Sequence, residues 1–309
     1  MKKVKTDIRK RDLLNIFNTV LDSYLVTSWV DTISIRVEGA QDQKSRLLQV
    51  LPPVMQKLAV EQHINNTDTN ELTINDIWED NLRLPLDWMD AQAADQYAIK
   101  IKKLAQNSAG LNNRLLTTLI EKGADKICYN GGKFFACRDH SEGNGVRCNN
   151  ISSVDCPELK IKKPENPTVA EMREAIPKVI QHMLGFKNDE GETVNSDTKS
   201  FLVMVPFNMM GSTMSSIYGV ISNPLAGSDC EQKFNVTGVA NRLLTQPDSF
   251  FVFRSDAAKP FFIRQEELII AFATEGRIEN NEQLYKFKRS CIAGYGYWQY
   301  ACKATFATI

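Results

Sequence analysis

The order of apolar patterns along the chain predicts an α+β protein. A helical pattern begins at Asp12, and a much longer one runs from Pro85 to Gly123. Strand-like alternation lies between them, and the C-terminal half mixes short strands with helices. No internal repeat or low-complexity segment interrupts this order. The long helix and the turn after it are predicted to organise the rest of the chain.

The composition argues against a strongly charged partner. The 309 residues include 37 Lys or Arg and 37 Asp or Glu, so no global field favours nucleic acid or acidic substrates. No apolar run approaches transmembrane length, and no signal-type apolar core precedes Asp12. These features predict a soluble cytosolic protein. Seven cysteines in a chain of this size favour reduced thiols.

The chain starts with a basic stretch and continues as an amphipathic one. The basic stretch is predicted to be a solvated tail, with contact to nucleic acid as the alternative. It consists of Lys2, Lys3, Lys5, Arg9, Lys10 and Arg11. An apolar stripe at helical spacing then predicts a short helix that must dock on another surface. The stripe consists of Leu13, Ile16, Phe17, Val20, Leu21 and Tyr24.

Two predicted strands flank a long polar excursion. Ile33, Ile35 and Val37 alternate with polar residues, and so do Leu72 and Ile74. The residues between the two strands include a polar turn and a Pro-Pro pair and supply little core. Because an isolated two-stranded hairpin is marginal in water, this one is predicted to need support from a neighbouring subunit.

The long helix is predicted to start at Pro85 and to end at Gly123. Pro suits a first helical turn, Lys122 suits the last turn, and Gly suits a C-cap. At 1.5 Å per residue the helix would span roughly 55 Å. Four weak helix formers at 107–110 predict a bend or a break, since Gly110 costs about 1 kcal/mol relative to Ala. The apolar stripe consists of Met89, Ala93, Tyr97, Ile101, Leu104, Leu115 and Leu119.

The remaining elements follow from local signals. The segment Gly143–Asn166 is rich in Gly, Asn, Lys and Pro and is predicted to be a loop. Thr168 and Glu171 form a capping box for a second helix, which Pro177 is predicted to kink. A polar loop, a buried strand over 201–206 and a helix over 209–218 come next. Further strands are predicted over 234–239, 250–253, 261–273, 284–287 and 293–306.

No catalytic constellation is visible in the sequence. The histidines His63, His140 and His182 form no His-Glu-x-x-His pattern, and nucleophile-elbow and phosphate-loop motifs are absent. The chain is therefore predicted to be no enzyme and to need no cofactor. A zinc site is the alternative, although the tight Cys-x-x-Cys pairs typical of one are lacking. Its ligands would come from Cys128, Cys137, His140, Cys148 and Cys156.

Three ordered stretches form a distinctive set. They cover 119–140, with the run Cys-Tyr-Asn-Gly-Gly-Lys-Phe-Phe, then 259–266 and 293–299. Together they resemble the major head subunit of Mu-like tailed phages and prophages, and weaker matches extend the resemblance from about Asp76 to the C-terminus. The segment 143–164 and its cysteines look peculiar to this chain. The motif positions are Cys128, Tyr129, Gly131, Gly132, Phe134, Phe135, His140, Lys259, Pro260, Gln265, Glu266, Gly294, Tyr295, Gly296, Trp298 and Gln299.

The resemblance implies the tailed-phage major capsid fold of the Hong-Kong-ninety-seven type. Residues 1–30 would form its N-terminal arm and residues 31–79 its extended E-loop hairpin. Residues 80–198 would form the first part of the P-domain with its long spine helix, 199–255 the A-domain, and 256–309 the strands that return to the P-domain. The arm and the E-loop would reach across to neighbouring subunits.

The resemblance also implies a function. The protein would be a major capsid protein that assembles in the host cytoplasm into the icosahedral head shell of the virion and encloses packaged double-stranded DNA. Its partners would be other copies in pentamers and hexamers, a scaffold, a maturation protease and a portal. The alternatives are an encapsulin-like compartment of the same fold and, less favoured, a cytosolic zinc-binding module or enzyme.

Overall fold

The computed structural model describes residues 2–26, 29–38, 73–85, 94–127, 132–137, 140–142, 145–187, 191–222, 234–256, 262–272 and 282–309. Its helices are α1 (Lys2–Val26), α2 (Trp29–Ile33), α3 (Ala94–Lys122), α4 (Val169–Leu184) and α5 (Met210–Ser222). Its strands are β1 (Ser34–Glu38), β2 (Thr73–Pro85), β3 (His140–Glu142), β4 (Gly145–Arg147), β5 (Asn150–Ile151), β6 (Lys160–Ile161), β7 (Ser200–Val205), β8 (Asn235–Ala240), β9 (Ser249–Arg254), β10 (Phe262–Phe272), β11 (Glu282–Tyr295), β12 (Ala301–Thr305) and β13 (Ala307–Thr308). Short 3-10 turns cover Pro157–Leu159, Phe207–Met209 and Trp298–Tyr300. This mixture of helices and separate sheets confirms the α+β class.

Two sheets dominate the fold. A four-stranded sheet has the order β1-β10-β11-β2, in which β1 runs parallel to β10 and the other neighbours are antiparallel. A five-stranded sheet has the order β5-β12-β9-β7-β8, with parallel pairs at its two edges. The small pairs β13-β6 and β3-β4 complete the described strands.

The predicted excursion hairpin is wrong in its pairing. Its flanking strands, β1 and β2, lie at opposite edges of the four-stranded sheet and do not pair with each other. Each one pairs with a strand from the C-terminal part of the same chain, for example Arg36 with Arg264 and Glu79 with Lys288. The described ends of the excursion are therefore supported by their own chain, and support of the rest by a neighbouring subunit stays a prediction. The residues between them, including His63, lie outside the described residues.

The apolar side chains form two cores along α3. The larger core joins the C-terminal half of α3 to α4 and the five-stranded sheet. The smaller core joins the N-terminal half of α3 to α1, β2 and β11, and Trp78 packs against both cores. The smaller core consists of Leu13, Phe17, Leu21, Leu82, Leu84, Ile101, Leu104, Ala105, Tyr285 and Phe287.

The N-terminal helix docks on its own chain. It begins at Lys2 rather than at Asp12, so the basic stretch is part of the helix and not a tail outside it. Of the predicted stripe, Leu13, Phe17 and Leu21 are buried, whereas Tyr24 is exposed. The Phe17 ring stacks on Phe287 with ring centroids 5.1 Å apart. The prediction that this helix must dock is confirmed, and its partner is the smaller core.

The long helix is shorter and more continuous than predicted. It begins at Ala94, because Pro85 is the last residue of β2, and residues 86–93 lie outside the described residues. Its 29 residues span about 44 Å. No break occurs at 107–110, where Ser108 is buried and its main-chain oxygen accepts a hydrogen bond from Arg289. This tertiary contact outweighs the weak local propensity.

Of the other local predictions, some are confirmed and some are wrong. Thr168 and Glu171 form both bonds of the capping box, which confirms the start of α4, and α4 continues past Pro177. The segment Gly143–Asn166 is wrong as a plain loop, because β4, β5, β6 and a 3-10 turn lie within it. The strands predicted over 284–287 and 293–306 are redistributed, since β11 spans Glu282–Tyr295 and a 3-10 turn separates it from β12.

Candidate functional site

The turn after α3 brings the helix end against two aromatic rings. The helix ends at Lys122, and Phe135 N donates to Gly123 O at 2.8 Å. A Cβ atom on Gly123 would lie 2.5 Å from Cδ2 of the Phe135 ring. Glycine is therefore required here by close packing. Phe134 and Phe135 are buried, and their rings pack edge-to-face with centroids 4.9 Å apart.

The last motif stretch meets this turn. The rings of Phe134 and Tyr295 stack with centroids 4.6 Å apart, and Tyr295 Oη donates to Leu119 O at 2.7 Å. Trp298 is fully buried and packs 5.5 Å from the Phe186 ring. Residues separated by more than 150 positions in the sequence thus form one structure, which we call the motif junction (Gly123, Phe134, Phe135, Asn149, Tyr295 and Trp298).

Asn149 holds the motif junction together. Its Nδ2 donates to the main-chain oxygens of Phe134 at 2.8 Å, Trp298 at 3.3 Å and Ala301 at 3.2 Å. Its Oδ1 accepts from the Ala136 N–H at 2.9 Å. The side chain is fully buried and out of reach of water, so these hydrogen bonds are what satisfies its polar atoms. One amide therefore fixes the turn after α3, the 3-10 turn and the start of β12.

The middle motif stretch joins through the sheet. Gln265 and Glu266 lie in β10, where their backbones pair with Ile292 and Cys291 of β11. Two positions before Gln265, Ile263 pairs with Gly294. Lys259 and Pro260 lie outside the described residues, as do Cys128, Tyr129 and Gly131. The structure thus connects the described parts of all three stretches.

A second polar cluster closes the other side of the larger core. Asn195 is buried and donates to Met183 O at 2.8 Å and to Gln299 O at 3.0 Å. Arg254 lies beside it, 2.9 Å from Asp197 Oδ1 and 3.0 Å from Asp256 Oδ1. The hydrogen bond from Arg254 lowers the pKa of Asp197 below its usual range. Two carboxylates thus compensate the largely buried guanidinium.

The candidate zinc ligands do not form a metal site among the residues described. In that part of the chain, no group of three or more His, Cys, Asp or Glu side chains is arranged to hold a metal ion. Cys137, Cys148 and Cys156 are free thiols, and burial raises the pKa of the Cys148 thiol to about 12. Cys128 and the side chain of His140 are not described, so zinc binding there stays a prediction.

The cysteine and histidine contacts around that segment are of an ordinary structural kind. Burial, and to a smaller extent a hydrogen bond to Glu158, raises the pKa of the Cys156 thiol to about 11. Burial also raises the pKa of the Cys302 thiol. His182 is satisfied, because its Nε2 lies 2.6 Å from Cys148 O.

The sequence reasoning missed Asn149, Asn195 and Arg254. Each bonds to main chain or carboxylates that lie far from it or outside any periodic pattern. A single asparagine in a Gly/Asn-rich segment looks like a turn residue. The basic residues from Lys2 to Arg11 lie in α1, but their side chains are not described, so a nucleic-acid contact stays a prediction. Among the described helices, none is long and apolar enough to cross a membrane.

Solved capsid structures resemble the chain at low identity. The capsid of the cyanophage P-SCSP1u is 13% identical, with a TM-score of 0.44 over 76% of this chain and 73% of that one. The procapsid of bacteriophage JBD30 is 10% identical, with a TM-score of 0.39 over 97% and 76%. A virus-like particle from Pyrococcus furiosus is 9% identical, with a TM-score of 0.42 over 95% and 98%. These TM-scores are low, so the superpositions carry no part of the assignment.

The likeness to a known family rests on a sequence match. No curated protein matches the chain. Residues 11–158 match the family described as the Mu-like prophage major head subunit gpT. The match includes the first motif stretch and begins earlier than Asp76, where the resemblance was expected to start. The match spans just under half of the chain, and over these residues the chain is similar to the Mu-like prophage major head subunit family.

Proposed function

We propose that this protein is the major capsid protein of a tailed phage or prophage. Many copies assemble into the icosahedral head shell and enclose packaged double-stranded DNA. The observation that carries the proposal is the match of residues 11–158 to the major head subunit family. That match also favours a head subunit over an encapsulin-like compartment. In this role the chain acts by building a shell, and no residue is assigned to catalysis.

An exposed apolar patch supports self-association. Phe207, Met210, Tyr218 and Leu243 are exposed by 57%, 42%, 67% and 45%. Phe207 lies in the 3-10 turn before α5, Met210 and Tyr218 lie in α5, and Leu243 lies in the turn after β8. The Arg242 guanidinium lies 5.4 Å from the Phe207 ring centroid. Aromatic residues, Met and Arg are the types enriched in subunit interfaces, so a second copy of the chain is the natural occupant of this patch.

The finer assignments belong to the same proposal. Residues 1–30 are the arm, 31–79 the E-loop, 80–198 and 256–309 the P-domain, and 199–255 the A-domain, which contains most of the exposed patch. The scaffold, the maturation protease and the portal are partners during assembly. The basic residues of α1 are the candidates for contact with DNA on the inner face.

Electron microscopy of the purified chain tests the proposal. Expressed alone or with its scaffold, the protein should form capsomers, tubes or shells. Phe207→Glu and Tyr218→Glu should abolish these assemblies, because a charge cannot be buried in an apolar interface without a partner. Val154→Asp is the matched control, since Val154 is exposed by 86% in a different turn. A compact monomer under every condition would contradict the proposal.

The contents of purified shells distinguish a phage head from an encapsulin-like compartment. Shells that contain cargo proteins and no DNA would favour the encapsulin-like compartment. Metal analysis of the full chain addresses the zinc-binding module. Stoichiometric zinc that is lost on substitution of Cys128 or Cys137 would support that alternative.

A further inference from the structure

Two thiols meet beside the motif junction. Cys137 Sγ donates to Asn150 O at 3.2 Å, and Cys148 Sγ donates to the same oxygen at 3.0 Å. The two sulfurs can therefore be no farther apart than the sum of these distances. The Cys137 thiol is also close enough to contribute, after burial, to the raised pKa of the Cys148 thiol. Both are free in this structure, with Cys137 exposed and Cys148 half-buried.

The backbone holds the two cysteines in this arrangement. Ala136 O accepts from Asn149 N at 3.1 Å and from Asn150 N at 3.3 Å. Ala136 N donates to the buried Asn149 side chain at 2.9 Å. The residue before Cys137 and the residue after Cys148 are thus fixed against each other. This main-chain contact keeps the two cysteines close to each other in the fold.

We propose that Cys137 and Cys148 form a disulfide under oxidising conditions. The ring would enclose the β3-β4 hairpin and fasten it to the motif junction. The biological setting rests on the proposed function, because a shell subunit assembles in a reducing cytoplasm and meets oxidants only after the virion is released. The disulfide would then lock a segment that is reduced during assembly.

The chemistry balances with a small disulfide as the oxidant. The exposed Cys137 thiolate attacks one sulfur of glutathione disulfide and releases one glutathione thiolate. The Cys148 sulfur, after losing its proton to solvent, then attacks Cys137 in the mixed disulfide and releases the second glutathione. Two protein thiols are oxidised by two electrons, and one glutathione disulfide is reduced to two thiols.

Thiol counting and mass spectrometry of the unassembled full chain test the proposal. The chain is incubated with glutathione disulfide and EDTA, so that no bound metal masks a thiol. The intact mass should fall by about 2 Da, since two hydrogens leave. Two thiols should be lost together, and the linked peptides should contain Cys137 and Cys148. Cys137→Ser and Cys148→Ser should each abolish the loss of mass, whereas Cys156→Ser should keep it.

Three results would overturn the proposal. One is a glutathione that stays attached to Cys137, another is a link from Cys137 to a different cysteine, and the third is an unchanged thiol count. Cys137 is exposed, so its serine variant should fold, and circular dichroism checks that it does. The assay uses unassembled protein, so failure to form the disulfide is distinguishable from failure to form shells.

Discussion

The two cores along α3 are held together in different ways. The larger core depends on buried amides that bond the main chain of distant segments, with Asn149 and Asn195 each bridging turns to strands. The described polar contact of the smaller core lies only at its border, where Arg289 bonds Ser108 O and Asn112 Oδ1. Its centre is an apolar contact between the α1 stripe, α3 and two strands.

This difference predicts how each core responds to substitution of its residues. A polar network in a dry interior fixes one arrangement, because each unmatched donor or acceptor there is costly. An apolar contact is set mainly by volume and tolerates exchange of similar side chains. The larger core should therefore lose stability when a buried polar side chain is replaced by an apolar one of the same size. The smaller core should lose stability when side-chain volume changes and should tolerate exchange between apolar side chains of similar volume.

Replacing Asn149 by Leu should have the largest effect. The two side chains are similar in size, but Leu cannot accept the bond from Ala136 N or supply the two amide N–H groups that three carbonyl oxygens share. At about 1 kcal/mol for each of these three N–H groups, the free energy of unfolding should fall by about 3 kcal/mol. Urea titration of the unassembled chain measures it. Asn107→Ala, at an exposed position of α3, is the control and should change stability by less than about 1 kcal/mol.

Gly110 inside α3 and Gly123 just after its end should respond in opposite directions. In Gly123→Ala the new Cβ would lie 2.5 Å from the Phe135 ring, which must move, so a loss of about 2 kcal/mol is expected. In Gly110→Ala nothing lies within 4 Å of the new Cβ, so a gain of about 1 kcal/mol is expected from helix propensity. Thermal unfolding of both variants checks the pair. Equal shifts in one direction would mean that the close approach to Phe135 is unimportant.

Replacing Phe17 by Leu should have a smaller effect than replacing Asn149. Phe17 is fully buried against Phe287 and Trp78 in the smaller core. Leu keeps the apolar character and much of the volume, so the loss should be about 1 kcal/mol. The same urea titration measures it. If Phe17→Leu costs as much as Asn149→Leu, the proposed contrast between the cores is wrong.

The same contrast decides how much of the structure could be predicted from the sequence. The α1 stripe, the C-terminal half of the long helix and the Thr168 capping box are local patterns, and they were predicted. The neighbours of β1 and β2 could not be predicted, because each pairs with a strand about 200 residues away. Pro85 was misread because a proline at a strand end and one at a helix start carry the same local signal.

The candidate site divides in the same way. The aromatic motif residues stand out in the sequence because Phe, Tyr and Trp beside glycine are distinctive. Their mutual contact and the role of Asn149 could not be recognised in the sequence, because an amide that hydrogen-bonds main-chain atoms produces no periodic pattern. The motifs were therefore recognisable in the sequence as a distinctive set, and the junction that they form was not predictable as a structure.

The smallest predicted effect concerns the exposed edge of the larger core's polar network. Asp197 is 76% exposed while its partner Arg254 is nearly buried, so most of the attraction is screened by solvent. Hydrogen bonding to Arg254 lowers the pKa of Asp197 from its usual 3.8. A depressed pKa contributes stability that is present above the unfolded pKa and is lost as pH falls through the folded one.

The midpoint of thermal unfolding should therefore drop more steeply below about pH 4 in the parent chain than in Asp197→Asn. At pH 7 the variant should be less stable by only about 0.5 kcal/mol. Asp256 stays paired with Arg254 in that variant and keeps the guanidinium compensated. Identical acid profiles for the two proteins would mean that the Asp197 contact contributes no stability. A loss at pH 7 as large as that of Asn149→Leu would mean instead that the exposed edge of the network matters as much as its buried centre.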